Sequence, residues 1–135
     1  MNVNRLFVYG TLLAPELLRA IIGRSLQGVP AFLSGYSCYR VRRAAYPAVT
    51  REAGALTYGS LFSGIDRSQW ESLDEFESNL YERHLVDVSL ADESNVDAYT
   101  YVIANAHRDR LTCEAWDFEH FRRHHLNRYL RQLSD

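Results

Sequence analysis

Leu6-Phe7-Val8-Tyr9-Gly10-Thr11-Leu12 is the stretch from which this chain is best read. Leu6, Phe7 and Val8 make a buried-strand pattern that runs into an aromatic and a glycine. Helix-type sequence follows at once, Pro15-Glu16-Leu17-Leu18-Arg19-Ala20-Ile21-Ile22. A strand that breaks at Gly10 can leave successive main-chain N–H groups pointing one way, and a residue without a side chain lets a ligand approach the backbone closely. Such donors suit a carboxylate or an oxyanion. An ordinary turn at a strand end is the alternative reading.

Outward from this stretch, the first strand spans roughly Arg5–Tyr9. The helix that follows starts at Pro15, where proline is tolerated, and ends at Gly23. Ala31–Val41 alternates imperfectly and reads as a long strand interrupted by Gly35. Tyr46-Pro47-Ala48-Val49 reads as a short extended piece, because proline restrains the residue before it. Leu56–Phe62 is the next strand, with Gly59 marking a bulge or a close backbone approach. Asp66 caps a helix over Arg67–Phe76, with Trp70, Leu73 and Phe76 on one face. Tyr81–Leu90 and Val96–Ile103 form a hairpin across a polar turn, and Asp117–Leu133 is read as one amphipathic helix. The order β, α, then mostly β predicts an α+β fold with a mainly antiparallel sheet.

A chain of 135 residues is expected to fold as a single domain over residues 1–135, and no repeat or linker divides it. Nine tyrosines point to an aromatic-lined interior or pocket. A net charge of −2, with both signs mixed along the chain, gives no electrostatic reason to expect a nucleic-acid partner. No apolar run reaches membrane-span length, and the first residues lack the apolar core of a signal peptide, so a cytoplasmic location is expected. Cys38 and Cys113 show no paired spacing and read as reduced structural cysteines.

Four blocks in register then carry a resemblance. They are Tyr9-Gly10-Thr11-Leu12, Ala45-Tyr46-Pro47-Ala48-Val49, Leu56-Thr57-Tyr58-Gly59-Ser60-Leu61-Phe62, and Leu73-Asp74-Glu75-Phe76-Glu77 with the Asn79–Arg83 segment after it. Together they resemble the gamma-glutamylcyclotransferase-like superfamily, in particular the branch of plant avirulence-induced proteins and gamma-glutamylamine cyclotransferase. The resemblance implies a small, mixed, mainly antiparallel β-barrel with short surrounding helices. It also implies a substrate class: a small gamma-glutamyl amine or amide from which 5-oxoproline is released, with no cofactor.

That reaction sets three tasks. A base must deprotonate the α-ammonium, donors must hold the carboxylate and oxyanion, and an acid must protonate the departing amine. The resemblance puts Glu77 in the acid/base role, where burial would raise its pKa. From residues alone Glu77 is one of four acids within 71–77 and reads equally as a solvated glutamate. Tyr9, Gly10, Thr11 and Leu12 match the loop that holds the glutamyl portion. Tyr46 and Tyr81 are expected at the pocket, Tyr46 with a rigid core turn as its alternative. Arg83 is read first as a salt-bridge former and second as a partner for a substrate carboxylate. Ser78 departs from the glycine that many relatives place after the glutamate.

His120 and His124 sit at i, i+4, but no distant third ligand accompanies them, so no metal site is expected. Apart from Arg83, with Arg51 close by, the matching blocks hold no arginine or lysine to fix a second carboxylate, and Leu12 with the many tyrosines leads to the expectation of an apolar, aromatic wall and a small, amine-like leaving group. Two classes of function remain open: a metal-free cyclotransferase, and a non-catalytic module that binds a small metabolite. The oligomeric state is not legible.

Overall fold

The computed structural model describes residues 3–134. Its elements are β1 (Leu6–Val8), α1 (Pro15–Ile22), β2 (Val29–Arg40), β3 (Pro47–Phe62), α2 (Arg67–Glu77), β4 (Tyr81–Leu90), β5 (Asn95–Ile103), α3 (Phe118–His124) and α4 (Leu126–Ser134). The five strands close into a barrel in the order β1-β3-β2-β4-β5. The β1–β3, β2–β3, β2–β4 and β4–β5 pairs are antiparallel, whereas β5 meets β1 and β3 in parallel. Closure leaves no long open edge, which removes the usual route to edge-to-edge association.

β1 is short because it is buried on both faces. Phe7 points into the barrel with Leu33, Val49, Val88 and Val102. Leu6 and Val8 point outward, beneath a layer that contains Leu17, Trp70, Leu73, Phe121 and Leu126. Leu6 lies opposite Phe62 on one side and Tyr99 on the other, so the segment is a staple between β3 and β5. Thr100 reinforces it by donating its hydroxyl to the Phe7 carbonyl at 3.0 Å.

Two sequence expectations are corrected here. The extended piece at Tyr46–Val49 and the strand at Leu56–Phe62 are parts of one strand, β3. The ladder with β2 runs through both, with a register shift between Ser34 and Tyr36. Gly35 (φ 83°) and Gly54 (φ 84°) supply the left-handed backbone that lets the two strands bend together. The C-terminal helix is also broken, at His125 (φ −128°). Phe121 and Leu126 are both buried in the same cluster. On one straight helix they would point about 140° apart at roughly 100° per residue, and the break turns both inward.

Gly59 shows the close approach anticipated for it: a Cβ there would lie 2.0 Å from the Val8 carbonyl oxygen. No described helix is long and apolar enough to cross a membrane.

Candidate active site

The site is built where β1 ends and where α2 ends. After Val8 the chain leaves the sheet and enters a 3-10 turn over Thr11–Leu13. The first hydrogen bond of that turn is donated by the Leu13 amide to the Gly10 carbonyl at 2.9 Å. The amides of Gly10, Thr11 and Leu12 precede it and are the turn's orphan donors. Gly10 also fits the packing: a Cβ there would sit 3.0 Å from the Pro47 ring, a tight contact from which that ring would have to shift, and Pro47 lines the same space.

From the other side, α2 delivers Glu77 as its last residue. Asp66 fixes the start of this helix through a capping box, accepting from the Gln69 amide at 2.9 Å while Gln69 Oε1 accepts from the Asp66 amide at 3.0 Å. Gln69 also donates to the Ile22 carbonyl at 3.3 Å, tying α2 to the end of α1. Trp70 and Leu73 are buried against the barrel. The helix stops because Ser78 adopts φ 64°, ψ −167°, and β4 begins three residues later.

These two ends face one small cavity of about 20 Å³, lined by residues 7–12 together with Pro47, Glu77, Tyr81 and Tyr101. It adjoins an outer chamber of about 440 Å³ that shares Thr11, Glu77 and Tyr81 with it. Tyr46, Phe76, Ser78 and Leu80 continue the outer wall, and α4 completes it with Arg128, Tyr129, Gln132 and Leu133. Glu77 therefore stands at the boundary between the two spaces.

Electrostatics separates Glu77 from its neighbours. Burial of its carboxyl, reinforced by the negative charge of Asp74, pushes its pKa up to about 8. The Tyr9 hydroxyl donates to the Tyr101 carbonyl at 2.6 Å and the Tyr81 hydroxyl to the Pro47 carbonyl at 2.5 Å. Burial first, with neighbouring acidic groups adding to it, holds both phenols well above the usual tyrosine range. They stay protonated, and their hydrogens are committed to main-chain carbonyls. Glu77 is the group in the inner cavity poised to exchange a proton near neutral pH.

The sequence-derived site residues thus meet, with one exception. Tyr9, Gly10, Thr11 and Leu12 line the inner cavity, Tyr81 lines both spaces, and Tyr46 lines the outer one. Arg83 lies elsewhere. Its Nε is 3.2 Å from Asp74, and its guanidinium stacks on the rings of Trp70 (4.6 Å) and Tyr99 (4.8 Å). This is the salt-bridge role; a grip on substrate does not fit that placement. Tyr101 and the α4 residues were not singled out beforehand. The alternation of β5 put Tyr101 within reach of such a reading, whereas the face shown by α4 depends on the break at His125.

Comparison with known proteins fits this geometry. Residues 6–118 match the family model described as gamma-glutamyl cyclotransferase, AIG2-like. The chain belongs to this family. Among relatives, protein AIG2 C of Arabidopsis thaliana is 33% identical over 128 residues, covering 94% of this chain and 77% of that protein. A solution structure of another Arabidopsis thaliana protein superposes with a TM-score of 0.74 at 30% identity, covering 99% of this chain and 81% of the other. A gamma-glutamyl cyclotransferase of known structure superposes with a TM-score of 0.67 at 18% identity, over 77% of this chain and 68% of that one, which shows the shared fold. The family match covers both ends of the inner cavity and stops short of α4.

His120 and His124 stack at 4.5 Å on α3. Among the described residues no group of three or more His, Cys, Asp or Glu side chains is arranged to hold a metal. Cys38 and Cys113 are free, and burial pushes the Cys38 thiol up to about 12.

Proposed function

We propose that this chain is a cyclotransferase that releases 5-oxoproline from a small gamma-glutamyl amine or amide, with Glu77 as acid and base. The observation that carries this reading is that Glu77, its pKa pushed up to about 8 by desolvation of its carboxyl, and the Gly10–Leu12 turn line one small cavity. Membership of the gamma-glutamyl cyclotransferase, AIG2-like family supports it.

In this reading the glutamyl half binds beside Glu77, where the inner cavity meets the outer chamber, with its γ-carbonyl toward the Gly10–Leu12 turn. Ionised Glu77 accepts a proton from the α-ammonium, and the freed amine nitrogen attacks the γ-carbonyl carbon. The N–C bond closes the five-membered ring, and the resulting oxyanion faces the amides of residues 10–12. Collapse breaks the original C–N bond as Glu77 returns its proton to the departing nitrogen; the surplus proton on the ring nitrogen then passes to the regenerated carboxylate and on to the amine, which leaves as an ammonium. The products are 5-oxoproline and the free amine, and no water is consumed. The raised pKa matters because an ordinary glutamate near 4.3 is a poor match for an α-ammonium, which titrates near 8 at a chain terminus. At about 8, Glu77 can exchange with such a donor at little cost. Assay of gamma-glutamyl compounds for 5-oxoproline release, with Glu77→Gln alongside, tests the proposal.

A further inference from the structure

We infer that Arg83 is a positioning residue for Glu77: from outside the cavity it holds the Asp74 carboxylate, and with it the Tyr101 hydroxyl, in one fixed arrangement beside the acid/base group. The inference rests on the reading of Glu77 as acid and base, and it gives the salt bridge of Arg83 a part in that chemistry.

The chain of contacts is short. Asp74 Oδ1 accepts from the Tyr101 hydroxyl at 2.7 Å and lies 3.2 Å from Arg83 Nε. Arg83 and Tyr101 are register partners in the β4–β5 ladder, which brings both side chains to the same carboxylate. Tyr101 lines the inner cavity with Glu77, whereas Asp74 and Arg83 line a separate groove with Trp70 and Tyr99. Those two rings meet edge to face at 5.3 Å, and the Arg83 guanidinium stacks on both. Trp70 comes from α2 and Tyr99 from β5, so the guanidinium is fixed by the helix that ends at Glu77 and by the strand that carries Tyr101. Arg67 and Glu71 line the same groove, pair with each other at 3.9 Å, and leave Arg83 to Asp74.

The Asp74 side chain is 45% exposed, against 29% for Arg83. One phenolic hydrogen bond on a half-exposed carboxylate is a modest restraint against water. The fixed cation is what keeps this carboxylate turned toward the protein. While it stays there, its charge opposes ionisation of Glu77, second to burial, and it occupies the Tyr101 hydroxyl as acceptor. Released to water, it would take that charge away and free the hydroxyl to donate to ionised Glu77. Both changes favour the charged form of Glu77. The remaining titratable groups around Glu77 are Tyr9 after β1, Tyr81 of β4 and Tyr129 of α4, phenols raised by burial, with Tyr46 and Arg128 in the outer chamber's wall.

The test is a carbon-13 NMR titration of the Glu77 carboxyl in the protein without substrate, the signal assigned with Glu77→Gln. Arg83→Met is expected to move the titration toward acid by roughly half a pH unit, in the direction of Asp74→Asn. Because Arg83 acts through Asp74, the double variant moves it no further than Asp74→Asn alone. A titration that Arg83→Met leaves unmoved or moves toward base overturns the inference, as do additive shifts in the double variant. If Arg83→Met does not fold, Arg83→Gln, which keeps a donor, is read by the same criteria. The titration uses no substrate, so it decides about Arg83 separately from the cyclotransferase reading, which fails if no gamma-glutamyl compound yields 5-oxoproline.

Discussion

The hydroxyl of Tyr101 donates to Asp74 at 2.7 Å, which ties the wall of the inner cavity to the helix that presents Glu77 one turn later. The same carboxylate receives Arg83 at 3.2 Å, so Asp74 is held from two sides. It remains close enough for its charge to add to the upward push on Glu77.

Asp74→Asn should therefore move the titration of Glu77 toward acid without returning it to the ordinary range, because burial is the larger cause. The proposed reaction needs ionised Glu77, so kcat/KM should rise with pH through about 8 in the parent protein. In Asp74→Asn the rise should come at lower pH, by roughly half a unit or more. A pH–rate profile that does not move would show that Asp74 serves the fold alone.

Stability should carry the same signature. Glu77 titrates near 4.5 in an unfolded chain and near 8 when folded. Between these values the folded state holds a proton that the unfolded state has lost, so stability falls as pH rises across that window. Glu77→Gln removes the term. Its Tm advantage over the parent should grow from pH 5 to pH 8 and then level off. Parallel Tm curves across this range would count against a buried, titrating carboxyl.

Ser78 sits at φ 64°, ψ −167°, a conformation that is nearly glycine-only. Ser78→Gly should relieve about 1 kcal/mol or more of backbone strain. Chemical denaturation reads this as a higher midpoint with an unchanged m-value. A neutral or destabilising result would mean that the serine has a compensating role in the loop after Glu77.

Gly59→Ala should do the opposite. Its Cβ would lie 2.0 Å from the Val8 carbonyl oxygen and 2.9 Å from the Phe7 ring, and β1 has backbone there that cannot swing aside. A loss of about 3 kcal/mol or more, at the upper end of overpacking effects, is expected from the same denaturation measurement.

Local signals carried much of this architecture. Pro15 and Gly23 bound α1 as anticipated, the latter at φ 85° with its amide on the Arg19 carbonyl at 2.8 Å. Asp66 caps α2, and the 81–103 hairpin pairs as its alternation implied. Barrel closure was not in the periodicity, because the parallel contacts of β5 with β1 and β3 join distant segments; the family resemblance supplied it. The unity of β3 was hidden by the polar Thr50–Gly54 stretch, in which Thr50 and Arg51 pair with Ser37 and Tyr36 before the register shifts and resumes at Leu56. At the site, Glu77 and Tyr9–Leu12 were legible through their motif register. Arg128 was not, because its direction follows from a helix break that relieves competing burial of Phe121 and Leu126.

The most direct measurement is the rate of 5-oxoproline release from small gamma-glutamyl amines and amides by the parent protein and by Glu77→Gln. Glutamine keeps the size and hydrogen bonding of the side chain but cannot take up and return a proton near neutral pH. The account predicts turnover by the parent and a loss of at least about 100-fold in kcat for the variant, with substrate binding and fold retained. Equal rates in the two proteins would contradict the role of Glu77, and binding without release by the parent would make the cavity a site for holding a metabolite rather than for transforming it.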